Sequence, residues 1–297
     1  MGRRDDIFVK SQYLVPQGSL SRLAGKIAAS TDPRLKNAFI KWFVKKYQVD
    51  MSEAAESEPE AFASFNDFFT RALKPGARTI DSAKDALVSP VDGAVSQLGT
   101  LLAGRILQAK GRTYSALELF GGDSLAARPF HGGEFATIYL APKDYHRIHM
   151  PCDARLTSMI HVPGRLFSVN PATAEAVPSL FARNERVICV FDTEFGPFAM
   201  VLVGAMIVAS IATTWAGLVG SGDQKRTGAT ITRIDYEPDG DNPAPTFLKG
   251  EEMGRFHLGS TVILLAPPDS FKWNDALHAG SRLRLGERIA TLNPKRG

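Results

Sequence analysis

Cysteine is scarce in this sequence, since Cys152 and Cys189 are the only two among 297 residues. Two cysteines cannot supply the set of disulfides that stabilises small secreted domains. Hydrophobic residues make up 44% of the chain and charged residues 22%, which is ordinary for a globular protein with a sizeable core. We therefore expect free thiols, a reducing compartment, and one large or two modest domains.

A basic excess is missing from most of the chain. Residues 1–50 contain ten lysines and arginines against four acidic residues. The whole chain has 35 basic and 31 acidic residues, so 25 basic and 27 acidic residues remain after position 50. This distribution argues against a broad nucleic-acid-binding surface and favours a local contact near the N-terminus with an anionic partner.

One long segment lacks charge altogether and needs an interpretation. Residues 198–220 form 23 consecutive uncharged positions, which is long enough for a transmembrane helix. The segment is rich in valine, isoleucine and threonine, and Gly204 and Gly217 interrupt it. We expect two buried strands separated by a bend, with a membrane span as the alternative. Asp5 and Asp6, with no long apolar run after them, predict neither a signal peptide nor a transit peptide.

Residues 34–49 have the pattern of a basic amphipathic helix that starts at Asp32-Pro33. Apolar residues recur near helical spacing, and lysines lie between them: Leu35, Ala38, Phe39, Trp42, Phe43 and Val49, with Lys36, Lys41, Lys45 and Lys46. Two interpretations stay open, a helix packed on the surface of the domain and a helix lying in a bilayer interface.

The rest of the chain reads mainly as strands. An acidic loop at 53–60 and a short aromatic helix at 64–71 precede them. From residue 86 onward, short β-like runs alternate with Gly and Pro turns, as at 136–140, 187–191 and 262–265. The predicted class is α+β. N-terminal amphipathic helices over 1–72 precede a mostly antiparallel, sandwich-like or barrel-like catalytic core over 73–297.

Gly259 and Ser260 could react with each other. Gly259 has no side chain to shield its carbonyl carbon, and the Ser260 hydroxyl can attack that carbon if a base takes its proton. Asp92, in an Asp-Gly pair that would ordinarily mark only a turn, is a candidate for orienting a histidine base. Sequence spacing by itself does not join these residues.

A histidine pair stands out in the middle of the chain. His146 and His149 are three residues apart, and Cys152 follows three residues later. This spacing permits a metal site, a general base next to a substrate-binding histidine, or a purely structural role. All three stay open on the residues alone.

Five motifs in this order carry a family resemblance: FNDFFTR at 65–71, SPVDG at 89–93, DYHRIHMP at 144–151, FARNER at 181–186 and GRFHLGST at 254–261. Together they resemble the phosphatidylserine decarboxylase proenzymes of the bacterial, membrane-associated type.

The resemblance implies that Asp92, His149 and Ser260 form a charge-relay set for self-cleavage between Gly259 and Ser260. Attack of Ser260 on the Gly259 carbonyl gives an ester, and β-elimination followed by loss of ammonia turns residue 260 into a pyruvoyl group. Residues 1–259 become a β chain and residues 260–297 an α chain, which form a heterodimer. The resemblance also implies that His146, and less directly Ser168, lie near the substrate.

The implied activity is decarboxylation of phosphatidylserine to phosphatidylethanolamine, without pyridoxal phosphate or a metal. A decarboxylation needs an electron sink, and the pyruvoyl ketone provides one through a Schiff base with the substrate amine. The resemblance also implies a location at the cytoplasmic face of the cell membrane, where the chain would be a peripheral protein in contact with anionic lipid. A higher homo-oligomer stays open.

Two other functions are compatible with the same residues. A serine hydrolase would use Asp92, His149 and Ser260 as a triad on an external substrate and would keep an intact chain. A non-catalytic, peripheral membrane-binding protein would use Gly259-Ser260 only as a turn, and its chain would also stay intact.

Overall fold

A computed structural model of the chain describes residue 9, residues 12–13 and residues 17–205, 211–220, 230–257 and 260–293. Gly259 lies outside the described residues. The α+β class is confirmed, with helices in the N-terminal part and a mostly antiparallel β core. Helices with described bounds are α1 Gln17–Ala28, α2 Pro33–Tyr47, α3 Phe65–Phe69, α4 Ala116–Leu119, α5 Ser124–Ala127, a 3-10 helix Arg128–Phe130, α6 Pro171–Ala176 and α7 Leu180–Arg183.

Helix α2 confirms the helix expected over 34–49. The Asp32 carboxylate caps its N-terminus by accepting a hydrogen bond from the Leu35 N–H at 2.8 Å, and Pro33 occupies the first turn. Gln48 ends the helix in the left-handed conformation with φ of 55°, where its N–H donates to the Val44 carbonyl.

The charged face assigned to α2 is partly wrong, because Lys36 is buried. Its ammonium donates to the Glu60 carbonyl at 2.8 Å and to the Asn37 side chain at 2.7 Å, so its hydrogen bonds offset the loss of water. The apolar side chains of Leu35 and Trp42, by contrast, are 47% and 48% exposed. The buried face of α2 therefore runs through Lys36, Ile40 and Phe43, and it packs on the phenylalanines of α3.

The strands of the described ranges are β1 Ala86–Val88, β2 Gly93–Thr100, β3 Arg105–Ala109, β4 Arg112–Ser115, β5 Glu134–Leu140, β6 Arg147–His149, β7 Ala154–Val162, β8 Arg186–Thr193, β9 Gly196–Gly204, β10 Ile211–Thr213, β11 Gly217–Val219, β12 Thr232–Asp235, β13 Thr246–Phe247, β14 Glu252–Phe256, β15 Ser260–Ala266, β16 Phe271–Trp273, β17 Arg282–Leu283 and β18 Arg288–Leu292. They include the three runs expected near 136–140, 187–191 and 262–265.

The uncharged segment at 198–220 contributes strands β9, β10 and β11, so the expectation of strands is confirmed where the segment is described. Its residues 206–210 lie outside the described part. Among the described residues, no helix has the length and apolar character needed to cross a bilayer.

The largest sheet has the order β12-β7-β8-β9-β15-β5-β2-β17, and β13 also pairs with β7. It is an open sheet with β15 in its interior, flanked by β9 and β5 in antiparallel register. Smaller sheets have the orders β11-β10-β14-β6, β1-β18-β16 and β3-β4. The described strands therefore form stacked open sheets, and the barrel-like alternative does not apply.

Alternating side chains of the large sheet build two cores, because successive residues of a strand face opposite sides. Val262 and Leu264 face a core that the large sheet shares with two small sheets. One of these small sheets contains β6 and β14, and the other contains β1 and β18. Ile263 and Leu265 face the core covered by the short helices and the β3-β4 hairpin. A third cluster joins α2 and α3. The expected boundary between residues 72 and 73 stays a prediction.

Candidate active site

Ser260 is the first residue of β15, at one end of an interior strand. Its backbone pairs with Leu140 of β5 on one side and with Gly204 of β9 on the other. The side chain is fully buried and lies on the same face as Val262, toward the small sheets. Among the described residues, its hydroxyl has no hydrogen-bond partner. A buried hydroxyl without a partner is costly, which marks this residue for a role other than stability.

The other candidate residues collect at the same end of the sheet. Strand β5 ends at Leu140, and the segment that follows it carries His146 and His149. Strand β2, next to β5, begins directly after Asp92, and a side chain at Gly93 would come within 2.6 Å of the Tyr139 carbonyl, so the two strands approach closely there. The structure thus brings the predicted residues to one region of the fold.

His149 is held as a neutral imidazole with a definite tautomer. Its Nδ1 lies 2.7 Å from the Gly250 carbonyl, which can only accept, so Nδ1 carries the proton. Its Nε2 lies 3.0 Å from the Tyr145 hydroxyl and accepts from it. Burial lowers the pKa of His149, and burial raises the pKa of Tyr145 to about 12, which keeps the hydroxyl protonated. His149 Nε2 is therefore a free-base nitrogen at neutral pH.

Asp92 makes no hydrogen bond or ion pair with His149, although its negative charge raises the pKa of His149 against the larger effect of burial. Arg78 holds the Asp92 carboxylate with two hydrogen bonds of 2.9 and 2.5 Å, and the Leu285 N–H donates to it at 2.8 Å. Arg78 also donates to Glu53 at 2.7 Å. The link between the two candidates is through the backbone, since the His149 N–H donates to the Pro90 carbonyl at 2.9 Å. The orienting partner of His149 is thus Gly250, where the charge-relay expectation had placed Asp92.

His146 is fully buried and stacks against Phe69 with 4.0 Å between ring centres. Its Nδ1 donates to the Asp144 carbonyl at 2.8 Å, while its Nε2 has no partner among the described residues. Burial lowers the pKa of His146 to about 3. The ring is therefore uncharged at neutral pH, with Nδ1 as a hydrogen-bond donor and Nε2 as a nitrogen with an unpaired lone pair.

We expect His146 to make the protein acid-sensitive. The unfolded chain takes up a proton near pH 6.5, whereas the folded imidazole stays neutral far below that, so stability falls as the pH drops below 6.5. Between pH 7 and pH 5 this group should cost about 2 kcal/mol of unfolding free energy. Urea titrations of a Ser260→Ala chain with and without His146→Gln measure it. An equal loss of stability in both chains would contradict the prediction.

Ser168 lies in a loop that the Asn184 side chain joins to Gly204, a strand partner of Ser260. Its N–H donates to the Gln12 side chain at 2.8 Å. The buried Asn184 amide donates to the carbonyls of Phe167 and Gly204 at 2.8 and 2.9 Å, which fastens this loop to β9 next to Ser260. Sequence reasoning missed Asn184, although it lies inside the FARNER motif, and it missed Arg78 and Tyr145.

The described residues do not support the metal interpretation of His146, His149 and Cys152. No group of three potential His, Cys, Asp or Glu ligands occurs among them. Cys152 and Cys189 are free thiols, as expected, and both are buried, which raises the pKa of both. A thiol kept protonated is a poor metal ligand.

A family model described as phosphatidylserine decarboxylase matches residues 65–291, which is more than half of the chain. The chain belongs to the phosphatidylserine decarboxylase family. A second family model, described as PSD, matches residues 7–48.

Relatives in this family are similar over nearly the whole length. The phosphatidylserine decarboxylase proenzymes of Marinobacter nauticus, Pseudomonas entomophila and Hahella chejuensis are 58%, 59% and 54% identical to this chain. The matches cover 98%, 96% and 97% of this chain and 99%, 97% and 94% of the relatives. The resemblance carried by the five motifs is thus confirmed.

Proposed function

We propose that this chain is the precursor of a phosphatidylserine decarboxylase that cleaves itself between Gly259 and Ser260. The observation that carries the proposal is the buried, unpartnered Ser260 hydroxyl at the end of an interior strand, in a chain 58% identical to a proenzyme of that name. The substrate is phosphatidylserine, and the products are carbon dioxide and phosphatidylethanolamine.

In the cleavage step, the Ser260 oxygen bonds to the Gly259 carbonyl carbon and gives its proton to a base. The peptide bond breaks as the nitrogen of residue 260 takes up a proton, which leaves an ester. Elimination releases the Gly259 carboxylate together with the former Oγ, and addition of water with loss of ammonia leaves a ketone at residue 260. Residues 1–259 and 260–297 are the resulting β and α chains.

Ser260 fits the pyruvoyl group that this sequence of steps would produce. The conversion removes the side-chain oxygen, and that oxygen makes no hydrogen bond with the described residues, so no favourable contact is lost. The backbone of residue 260 is held on both sides by Leu140 and Gly204. Once formed, the group supplies a carbonyl electrophile and electron sink that ordinary side chains lack.

We assign the proton-accepting role in cleavage to His149. Its Nε2 has a lone pair at neutral pH, and the Gly250 carbonyl holds the ring in the tautomer that a base requires. Asp92 supports the site indirectly, because the hydrogen bond that it accepts from the Leu285 N–H ties segment 89–93 to the part of the chain beyond the cleavage site. Arg78 holds the Asp92 carboxylate in place for this bond. We also propose that His146 and Ser168 lie near the lipid headgroup.

The test is a mass measurement under denaturing conditions. The α chain has 38 of the 297 residues of a 32.2 kDa chain, so about 4 kDa and 28 kDa are expected for the two products. A keto group at the start of the smaller product should react with a hydrazide reagent. An intact chain in which a fluorophosphonate labels Ser260 would instead show a serine hydrolase. An intact chain with neither label nor ketone would show the non-catalytic alternative.

The N-terminal helices are the part we propose to contact the membrane. Exposed apolar side chains on α1 and α2 lie among lysines: Leu23, Ile27, Leu35 and Trp42, with Lys26, Lys41, Lys45 and Lys46. Trp42 stacks with Phe39, and the Lys46 ammonium lies 4.5 Å from its ring centre. Aromatic side chains combined with lysines are typical of helices at an anionic interface. We propose peripheral attachment, with the cytoplasmic face of the cell membrane as its location.

Charge reversal at Lys41, Lys45 and Lys46 should weaken binding to anionic vesicles, because each lysine near such a surface contributes about 1 kcal/mol. The loss should be larger at low salt. Vesicle sedimentation measures it, and reversal of Lys84 and Arg112, which are remote in the sequence, provides a control. Unchanged binding of the triple variant at low salt would exclude these lysines as the electrostatic contact.

A further inference from the structure

Arg71 carries a buried positive charge that forms no ion pair with a carboxylate of the described residues. Arg71 lies two residues after the end of α3, and it is only 5% exposed. Its Nη2 donates a hydrogen bond to the Lys143 carbonyl at 3.2 Å. Its Nε and Nη1 have no hydrogen-bond partner among the described residues. A buried guanidinium with two unpaired N–H groups is strongly unfavourable unless an anion meets it. Burial lowers the pKa of Arg71 more than the nearby charges of Asp92, Asp144 and Asp50 raise it.

Arg71 forms part of the wall of an open cleft of about 340 Å³. The cleft includes Asp92, Asp144 and Leu283, and it lies at the same end of the large sheet as Ser260. From Ser260 the sheet continues through β5 and β2 to β17, so two to three strand spacings, or about 10 to 14 Å, separate Ser260 from this wall.

The carboxylates of this cleft already have partners. Ion pairs join Arg78 to Asp92 and Glu53, Arg284 to Glu53, and Arg282 to Asp144. Asp50 accepts from the Ser52 N–H and hydroxyl.

Two cations are left over after these pairings. Arg71 is one of them, and the exposed Lys143 ammonium is the other, since it has no carboxylate partner among the described residues. Asp50 has hydrogen bonds to Ser52 but no ion pair, so it offsets one of these two charges. The net charge of the cleft lining is therefore positive by one, with a deep guanidinium and an ammonium near the rim as the cations that lack an ion pair.

We propose that this cleft binds the phosphate of the lipid headgroup, with Arg71 and Lys143 as its contacts. The inference rests on the proposed decarboxylase function and names a binding site for that function. The guanidinium of an arginine can donate two parallel hydrogen bonds to phosphate oxygens, and the flexible side chain of Lys143 can bring its ammonium close to the same phosphate.

The phosphate is a better partner for Arg71 than the substrate carboxylate. Decarboxylation turns the carboxylate into neutral CO₂, so a salt bridge to it would stabilise the ground state and raise the barrier. The phosphate keeps its charge throughout the reaction and can be held without that cost. The reach matches the lower end of the separation between Ser260 and the cleft wall. Four bonds of roughly 1.5 Å place phosphorus about 5 Å from the substrate amine, and a P–O bond followed by a hydrogen bond of about 2.9 Å extends the span to about 9 to 10 Å.

A contact made equally in the ground state and the transition state should affect KM and leave kcat nearly unchanged. In Arg71→Gln we expect KM for phosphatidylserine in mixed micelles to rise about 10- to 100-fold. Arg71→Lys should recover part of this loss, because it restores the charge without the fork. Arg112→Gln, on the exposed β3-β4 hairpin, is the matched control and should change neither constant.

Calorimetric titration of the cleaved protein with glycerophosphoserine tests binding directly and separates the two sources of phosphate. We expect this compound to bind wild type, to compete with lipid, and to lose affinity in Arg71→Gln. Inorganic phosphate that binds as tightly but leaves lipid turnover unchanged would overturn the headgroup assignment. So would a fall in kcat at constant KM.

Lys143→Gln is the second variant, because its exposed side chain does not put folding at risk. It should raise KM by a smaller factor, and an unchanged KM together with unchanged glycerophosphoserine binding would overturn the inference. Failure of the proposed function is a different result, since the wild-type chain would then stay at one mass and release no CO₂.

Discussion

Ser260→Ala leaves the chain at a single mass of 32.2 kDa and without decarboxylase activity. Alanine removes the only atom that can attack the Gly259 carbonyl from this position, so neither the cut nor the ketone can form. The fold should survive, because the lost hydroxyl has no hydrogen-bond partner among the described residues. Denaturing mass spectrometry after a long incubation, with a CO₂ release assay, measures both effects.

Thr261→Val is the matched control for this experiment. The Thr261 hydroxyl is also buried and also lacks a partner among the described residues, but it lies on the opposite face of β15. Valine has nearly the same shape, so this variant should cleave and decarboxylate like wild type. Normal cleavage of Ser260→Ala, or a block in Thr261→Val of the same size, would show that residue 260 is not the nucleophile.

His149→Ala should slow self-cleavage about 10²- to 10⁴-fold, which is the usual contribution of a positioned general base. The Gly250 carbonyl holds the ring proton on Nδ1, so the basic lone pair is on Nε2, where it accepts a hydrogen bond from the Tyr145 hydroxyl. Tyr145→Phe removes the hydroxyl that donates to this lone pair and keeps the ring, so we expect a much smaller effect. The fraction of cut chain over time gives the rates.

The control for His149→Ala is His278→Ala. His278 lies exposed in the turn before β17, where it contacts Ser281 and the Ala276 carbonyl. Its loss should leave the cleavage rate unchanged. Cleavage of His149→Ala at the wild-type rate would rule out His149 as the base. His146 would then be the next candidate for the base, because its buried Nε2 has a lone pair without a hydrogen-bond partner among the described residues.

The strands were predictable because a buried strand imposes an apolar pattern on its own residues. Segments 187–191 and 262–265 show this pattern, and both lie inside the large sheet. The buried Lys36 was not predictable in the same way. Its burial depends on the Glu60 carbonyl, 24 positions away, and a helical pattern contains no information about such a partner.

The candidate residues were found from motifs, but their pairing was not. Asp92 was expected to hold His149, and in the structure its partners are Arg78 and the Leu285 N–H. Leu285 is 193 positions away in the chain, so its proximity is a result of the sheet order and not of local sequence. Gly250 likewise contributes a backbone carbonyl, a group that every residue has. No side-chain motif in the sequence therefore indicates that Gly250 binds His149.

The place of β15 in the sheet decides how the cut protein would hold together. A break before Ser260 frees a piece of 38 residues, yet that piece supplies an interior strand with neighbours on both edges. Its apolar side chains belong to both cores, so it could leave only if the whole domain came apart. The two products would behave as a single folding unit. Once separated by denaturant, they would have to meet by diffusion, and reassembly would depend on concentration.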